Sequence, residues 1–273
     1  MTRPSSQDAR LFFDQNMVEA AVEPIATGVA AVYSARCPGK DTPNEDAAGL
    51  IPFDAHSGVL VVADGLGGFR AGELASKVAV QAVRAAIAEA VKEGLPIRGA
   101  ILNGIEQANH EVTDLGLGAA TTLAIVEVQD RVVRPYHVGD SLILLAGGRG
   151  KVKLQTVSHS PVGFAVEAGL LNESEAMHHE DRHIVSNVIG TPDMRIEVGS
   201  TQTMSPRDSL LLASDGLFDN MHTEEIVDSL RKGQIDEAAR LLCNGAHQRM
   251  THPEPGQPSK PDDITFVAYR PQR

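Results

Sequence analysis

Residues 120–157, ATTLAIVEVQDRVVRPYHVGDSLILLAGGRGKVKLQTV, read as four strands, 120–128, 131–138, 141–146 and 151–157, with almost nothing between them. Connections this short turn the chain back on itself, because a parallel pair needs a crossover of about a dozen residues or more. Gln129-Asp130 separates two β-branched runs, and Gly147, Gly148 and Gly150 supply a turn before Lys151. The heart of the fold is therefore antiparallel sheet.

Outward from this stretch, 28–35, 58–63, 194–203, 208–213 and 263–269 also read as strands. Two helices are expected at about 71–93 and 96–115, with Gly94 as stop and Pro96 at the next start. In the second, Ile97, Ile101, Ile105, Ala108, Val112 and Leu115 form one apolar stripe. Two more helices follow Thr223, a good N-cap before the acidic first turn of TEEIVDSL. Strands, a helix pair, more strands, then helices and a closing strand is an α+β order. The expected architecture is a four-layer α-β-β-α sandwich, two antiparallel sheets flanked by helices. A helical flap at about 160–192 breaks the hairpin rhythm. One domain is expected over 28–273, preceded by a partly ordered N-terminal extension, 1–27, that opens on the polar MTRPSSQDAR; THPEPGQPSKPDD forms a Pro-rich loop before the last strand.

The 273 residues are 42% hydrophobic, enough for a sizeable core. A formal net charge of -12 opposes a nucleic-acid surface and suits cations. No run of about 18 apolar residues spans a bilayer, and the N-terminus lacks a signal-peptide pattern. The expected location is cytoplasmic, away from membranes. Cys37 and Cys243 offer neither a disulfide framework nor a CxxC site, which fits a reducing compartment.

Three places repeat one device, an apolar strand running out into an aspartate beside glycine: VLVVADG with Asp64, LLLASDG with Asp215 and YHVGDS with Asp140. A strand buried on both faces fixes the position of the acid at its end, and the glycine lets backbone or ligand approach closely. Glu45-Asp46 and Asp262-Asp263 are two further acidic pairs. Taken singly, each Asp-Gly is a turn and each pair a solvated strand start. Delivered together to one spot, these carboxylates would repel unless a hard cation compensated them, and magnesium or manganese would do so.

The ordered set NEDA, VVADGLGG, ATTLA, VGDS, LLLASDGLFD and DDITFV, spread over residues 28–269, resembles the type 2C, or PPM-type, metal-dependent serine/threonine phosphatases. The resemblance implies hydrolysis of phosphoserine and phosphothreonine in phosphoproteins by a water activated between two Mg or Mn ions. By that likeness Asp64 bridges the two ions, Glu45 and the Gly65 carbonyl hold one, and Asp215 and Asp262 hold the other. Asp46 contacts metal-bound water. Asp262 is preferred because relatives often carry Asn at the position of Asp263, which is the alternative one residue along. Asp140 and Asp219, with Asp215, match a third metal site. An oxygen-only set favours magnesium or manganese over zinc. The chain departs from eukaryotic relatives at Leu66, where they carry the His of DGHGG, so no protein general acid is assigned. An Arg often precedes NED and grips phosphate; here Lys40 takes that place, with Arg36 further back, and a lysine offers a point charge without the bidentate fork. The implied partner is a phosphoprotein whose serine/threonine kinase this enzyme opposes, in a bacterial setting suggested by DGLGG. Substrate choice is assigned to the flap.

Rival readings are weaker. His179-Glu180-Asp181-Arg182-His183 matches the H-E-x-x-H zinc pattern but lies in a short polar stretch with no third ligand evident. DGLGGFRAG has Arg70 where a dinucleotide loop needs glycine, and Ser141 completes no GxSxG elbow. A non-catalytic phosphoprotein binder would have lost a metal aspartate, and Asp64, Asp215 and Asp262 are all present.

Overall fold

The computed structural model describes residues 9–66, 71–116 and 118–272. One sheet runs in the order β1 (Arg10–Phe13), β4 (Asp46–Pro52), β5 (Ser57–Leu66), β7 (Leu123–Gln129), β8 (Val132–Val138) and β11 (Glu197–Val198). Short β6 (Ala120–Thr121) pairs with the end of β5, and β12 (Gln202–Thr203) pairs with β8. The other sheet has the order β10 (Val152–Gln155), β9 (Leu142–Ala146), β13 (Ser209–Ala213), β14 (Ile264–Pro271), β3 (Gly28–Ala35) and β2 (Ala21–Ile25). Every strand pair is antiparallel, as the short connections in 120–157 require.

Three apolar layers hold the sandwich. Leu60 and Val62 of β5 join Val32, Leu50, Leu145, Leu212 and Val267 between the sheets. The alternate residues Val59, Val61 and Ala63 face α1 (Ala71–Glu93) and α2 (Ile97–Leu115), against Val83, Ile87, Ile101 and Ile105. On the far side Tyr33, Leu211 and Phe266 pack on Ile226, Leu230, Leu242 and Ala246 of α6 (Thr223–Leu230) and α7 (Ile235–Thr251). Because β5 and β13 are apolar on both faces, their sequences show unbroken hydrophobic runs. The four expected layers are all present.

The flap is α3 (Pro161–Glu167), α4 (Glu173–Met177) and a 3-10 turn at Glu180–His183. Gly94, at φ +73°, ends α1 as expected. His222, not Thr223, caps α6; the Thr223 N–H donates 2.7 Å to Glu173 Oε1 of the flap.

Residues 10–25, expected in an extension, supply edge strands to both sheets, β1 against β4 and β2 against β3. They are short, and Pro24 is tolerable only on an edge, so neither carries a clear pattern. Central β4 carries no clear pattern either, since DAAGLIP has no β-branched alternation; there Gly49 makes room for Leu11 and Val80. The expected 194–203 strand is two short pieces on β8. Residues 1–8, the GGFR of 67–70, Leu117 and Arg273 lie outside the described residues. Among those described, no helix is long and apolar enough to cross a membrane.

Candidate metal centre

Asp46 starts β4 directly opposite Asp64 near the end of β5. The backbone there is pinned from the side: Thr122 Oγ1 receives the Asp64 N–H (3.0 Å), while the Thr122 N–H and Thr121 Oγ1 both donate 2.8 Å to Asp64 O. Thr122 Oγ1 also lies 2.6 Å from Ser141 Oγ, which ties this strand end to the loop carrying Asp140. The ATTLA and VGDS motifs thus act as fasteners. Gly139 before Asp140 has φ +109°, a conformation open to glycine.

Asp215 opens the one-turn α5 (Asp215–Phe218), with Asp219 just past its end. Ser214 Oγ, free of any capping bond, donates 2.8 Å to Asp46 Oδ2 and so joins the two sheets at the site. Asn220 receives the Lys260 N–H at 2.8 Å, and its amide donates to Lys260 O (2.8 Å) and Gly216 O (2.9 Å). That clamp fixes the loop before Asp262.

The two neighbours Asp262 and Asp263 have opposite environments. Asp263 is 4% exposed and accepts from Cys37 N–H (2.8 Å), Glu45 N–H (2.8 Å) and Lys40 Nζ (2.6 Å). Asp262 has a side chain 40% exposed and lies 3.2 Å from Lys260 Nζ, among the other carboxylates. Lys40, read as a phosphate grip, is instead engaged by Glu45 Oε2 at 2.9 Å as well as by Asp263. No ion pair joins Arg36 to these acids among the described residues; its backbone N–H donates to Asn16. A Cβ on Gly72 would sit 2.6 Å from Glu45 Oε1 and 2.8 Å from Gly65 O, so these two oxygens converge at the start of α1.

The acids crowd one another. Burial first, then the charges of Asp46, Asp215, Asp140 and Asp262, push the Asp64 carboxyl well above the usual range. Burial and then Asp263 do the same for Asp46, against the opposing Ser214 bond. Burial and Asp215 raise Asp140 to about 7, and raise Asp219 and Asp262 to about 6. Missed by sequence reasoning, Lys260 pairs with three of the four acids on this side: it bonds Asp215 and lies 3.1 Å from Asp219 Oδ2 and 3.2 Å from Asp262 Oδ2. The approach to Asp219 Oδ2 is an ion pair without hydrogen-bond alignment, so that buried oxygen has no hydrogen-bond donor. An all-oxygen set, crowded beyond what its lysines compensate and with one oxygen unmatched, fits a hard divalent cation.

These shifts set a pH dependence for the chelated protein. Each raised acid binds its proton more tightly folded than unfolded, so stability falls as pH rises from about 4 through the folded values. In EDTA, Tm at pH 5.5 is expected to exceed Tm at pH 8 by ~5 °C. Calorimetry that gives the higher Tm at pH 8 would contradict this crowding.

A second cluster, His137, His159 and Glu197, brings its ligand atoms within 4.8 Å of one another. It is wired against a metal. His159 Nδ1 accepts from Gly139 N–H (3.0 Å) and Asn187 Nδ2 (2.9 Å), and Asn187 is itself fixed by bonds to both N and O of Arg195. The proton must therefore sit on Nε2, which faces Glu197 at 3.1 Å, and a metal there would need an imidazolate. His159 is a fastener between the flap and the Asp140 loop. The H-E-x-x-H stretch also fails, because it forms a 3-10 turn with His179 Nδ1 accepting from the Asp181 N–H (3.1 Å).

A cavity of about 440 Å³ runs from Asp140, Asp215 and Asp219 beneath the flap, walled by Val162, Met177 and Phe218. The protein phosphatase 2C family model matches residues 35–247. The chain belongs to that family. It is 33% identical over 211 residues to a putative protein phosphatase 2C-type of Streptococcus pyogenes, covering 72% of this chain and 83% of the other. It is 32% identical to the protein phosphatase PhpP of Streptococcus pneumoniae, over 69% of this chain and 79% of that one. The solved serine/threonine phosphatase of S. agalactiae superposes with a TM-score of 0.75 at 27% identity, covering 88% of this chain and 98% of that chain. This phosphatase is thus a serine/threonine phosphatase of the metal-dependent PPM type acting on phosphorylated protein, and the expected sandwich is the family's fold.

Proposed function

We propose that this phosphatase hydrolyses phosphoserine and phosphothreonine by direct attack of water at a centre of two manganese or magnesium ions. Asp64 would bridge them, with Glu45 and the Gly65 carbonyl on one side and Asp215 and Asp262 on the other. The observation that carries this reading is the convergence of Asp46, Asp64, Asp140, Asp215, Asp219 and Asp262, delivered from both sheets, where burial first and neighbouring carboxylates second raise Asp46, Asp64, Asp140, Asp219 and Asp262. Bound cations supply a water of lowered pKa and positive charge against the phosphoryl oxygens.

The chain's own part is positional. Threonines 121 and 122 hold the Asp64 strand end, Ser214 orients Asp46, and Asp263 braces the backbone of Glu45 through its N–H. Asp140 and Asp219, with Asp215, would form a third and weaker site. Leu66 closes β5 and brings no proton, so the leaving alkoxide takes its proton from solvent. Lys40, bound by two carboxylates, acts first as a brace for them and would reach phosphate only by leaving one. We further infer a catalytic unit built from residue 10 onward, a cytoplasmic location and an opposing serine/threonine kinase.

Hydrolysis of p-nitrophenyl phosphate and a phosphothreonine peptide in manganese, abolished by chelator, is the expected result. Asp262→Asn should lose at least ~10²-fold in kcat, about 2.7 kcal/mol, with its fold intact. Asp263→Asn should mainly lower Tm, because an amide turns a donor toward groups that all donate. Chelator-resistant turnover would overturn the reading.

A further inference from the structure

The metal-centre reading, on which this inference rests, leaves one charged side chain without a role. We propose that Lys260 is a tethered counter-cation, whose ammonium occupies the Asp215–Asp219–Asp262 side of the centre and must be displaced when a divalent ion binds there. Its Nζ bonds Asp215 Oδ2 and lies 3.1 Å and 3.2 Å from Asp219 Oδ2 and Asp262 Oδ2, the acids assigned to one of the two cations and to the third. A divalent ion and an ammonium cannot share those oxygens, since like charges at such separations repel strongly in a half-buried site.

The surrounding geometry lets the head move while the backbone stays. Lys260 N and O are both held by the Asn220 side chain at 2.8 Å, so the loop keeps its register with α5. The four-carbon stem is flexible, its ammonium is a compact charge that re-hydrates readily, and the side chain is 21% exposed, which gives it an exit to water. The outcome is an exchange of cations. Without metal, Lys260 offsets the repulsion among three acids and holds the fold together. With metal, it is driven out, and its lost pairing subtracts from the affinity of that side alone. The Glu45–Gly65 side has a different lysine, Lys40, and no contact with Lys260 among the described residues.

Isothermal titration of the chelator-stripped full chain with Mn²⁺ tests this. Lys260→Met should tighten one binding step by ~10-fold or more and leave the others unchanged, with Lys260→Arg close to wild type. Metal-free Lys260→Met should melt below wild type, and Lys260→Gln, which still donates to carboxylates, serves if the Met variant does not fold. A readout without any substitution is amine acylation followed by mass spectrometry, where Mn²⁺ should raise labelling of Lys260 several-fold. Unchanged or weaker Mn²⁺ binding in the neutral variants, or labelling unmoved by Mn²⁺, overturns the proposal while the metal-centre reading stands. A wild type that binds no Mn²⁺ at all overturns both.

Discussion

Asp64→Asn is expected to cut turnover of a phosphothreonine peptide by ~10³-fold or more, about 4 kcal/mol of transition-state stabilisation, while the metal-free protein melts no lower than wild type. The two halves of this result have one cause. Burial first, and then the charges of Asp46, Asp215, Asp140 and Asp262, oppose ionisation of the Asp64 carboxyl. With cations chelated, that charge is a liability, and a neutral amide of the same shape relieves it. Its backbone bonds to Thr121 and Thr122 are untouched by the substitution, so the strand end keeps its place. With manganese present, the same charge is what would bridge the ions, and the amide forfeits it. Steady-state kinetics with Tm in EDTA and in Mn²⁺ measures both halves. Turnover within tenfold of wild type would remove Asp64 from the centre. A sharply lower Tm in EDTA would show the acid to be a structural member and not a strained one.

Why these acids were legible, and their supports were not, follows from the range of the interactions. Asp64 lies near the end of β5 and Asp215 just beyond β13, two strands apolar on both faces, so an unbroken hydrophobic run meeting a carboxylate is visible in the sequence. Hairpins such as β7–β8 and the α1–α2 pair are similarly local, and their expected spans fall within a few residues of the observed ends. Lys260 looked like any lysine in a Pro-rich loop, because its partners Asp215 and Asp219 lie more than 40 residues away. Asp263 braces Cys37 across 226 positions, and Ser214 reaches Asp46 across 168. Such pairs leave no periodic trace. β1 and β2 escaped for a different reason: edge strands need only one paired side and tolerate Pro24, so they impose little pattern.

What Lys40 touches is set in part by a residue far from it in the chain. A basic residue five positions before Glu45 matched a phosphate grip in the sequence, yet in the fold its ammonium spans Glu45 and Asp263 and braces the loop that presents Glu45. The site therefore holds its acids with two lysines, one on each flank. Lys40 meets a buried, fully bonded aspartate, while Lys260 meets carboxylates with spare oxygens. Lys40 takes only the Oε2 of Glu45 and leaves Oε1 beside the Gly65 carbonyl, whereas Lys260 sits on oxygens of three acids at once.

Gly216→Ala is expected to lower stability by ~3 kcal/mol or more, a fall in Tm of roughly 6–12 °C, and to abolish turnover with it. In the sequence, the glycine after Asp215 stood for close approach by backbone or ligand, and in the fold the approaching group is backbone. A Cβ at Gly216 would overlap Asp263 O and come within 2.9 Å of its carbonyl carbon and 3.2 Å of Ile264 Cα. Neither side can retreat. Asp263 is anchored through its carboxylate to Cys37, Glu45 and Lys40, and Gly216 O is held by Asn220 at 2.9 Å. Relief must come from separating α5 from the loop before β14, which moves Asp215 away from Asp262. The natural control is Gly99→Ala in α2, where nothing lies within 4 Å of the added carbon. There the methyl should raise stability by about 1 kcal/mol through helix propensity alone. Urea melts of the two variants should therefore move in opposite directions from wild type. A Gly216→Ala protein that melts with Gly99→Ala would mean that the two loops are not locked together, and that the spacing of Asp215 and Asp262 is set by something other than this contact.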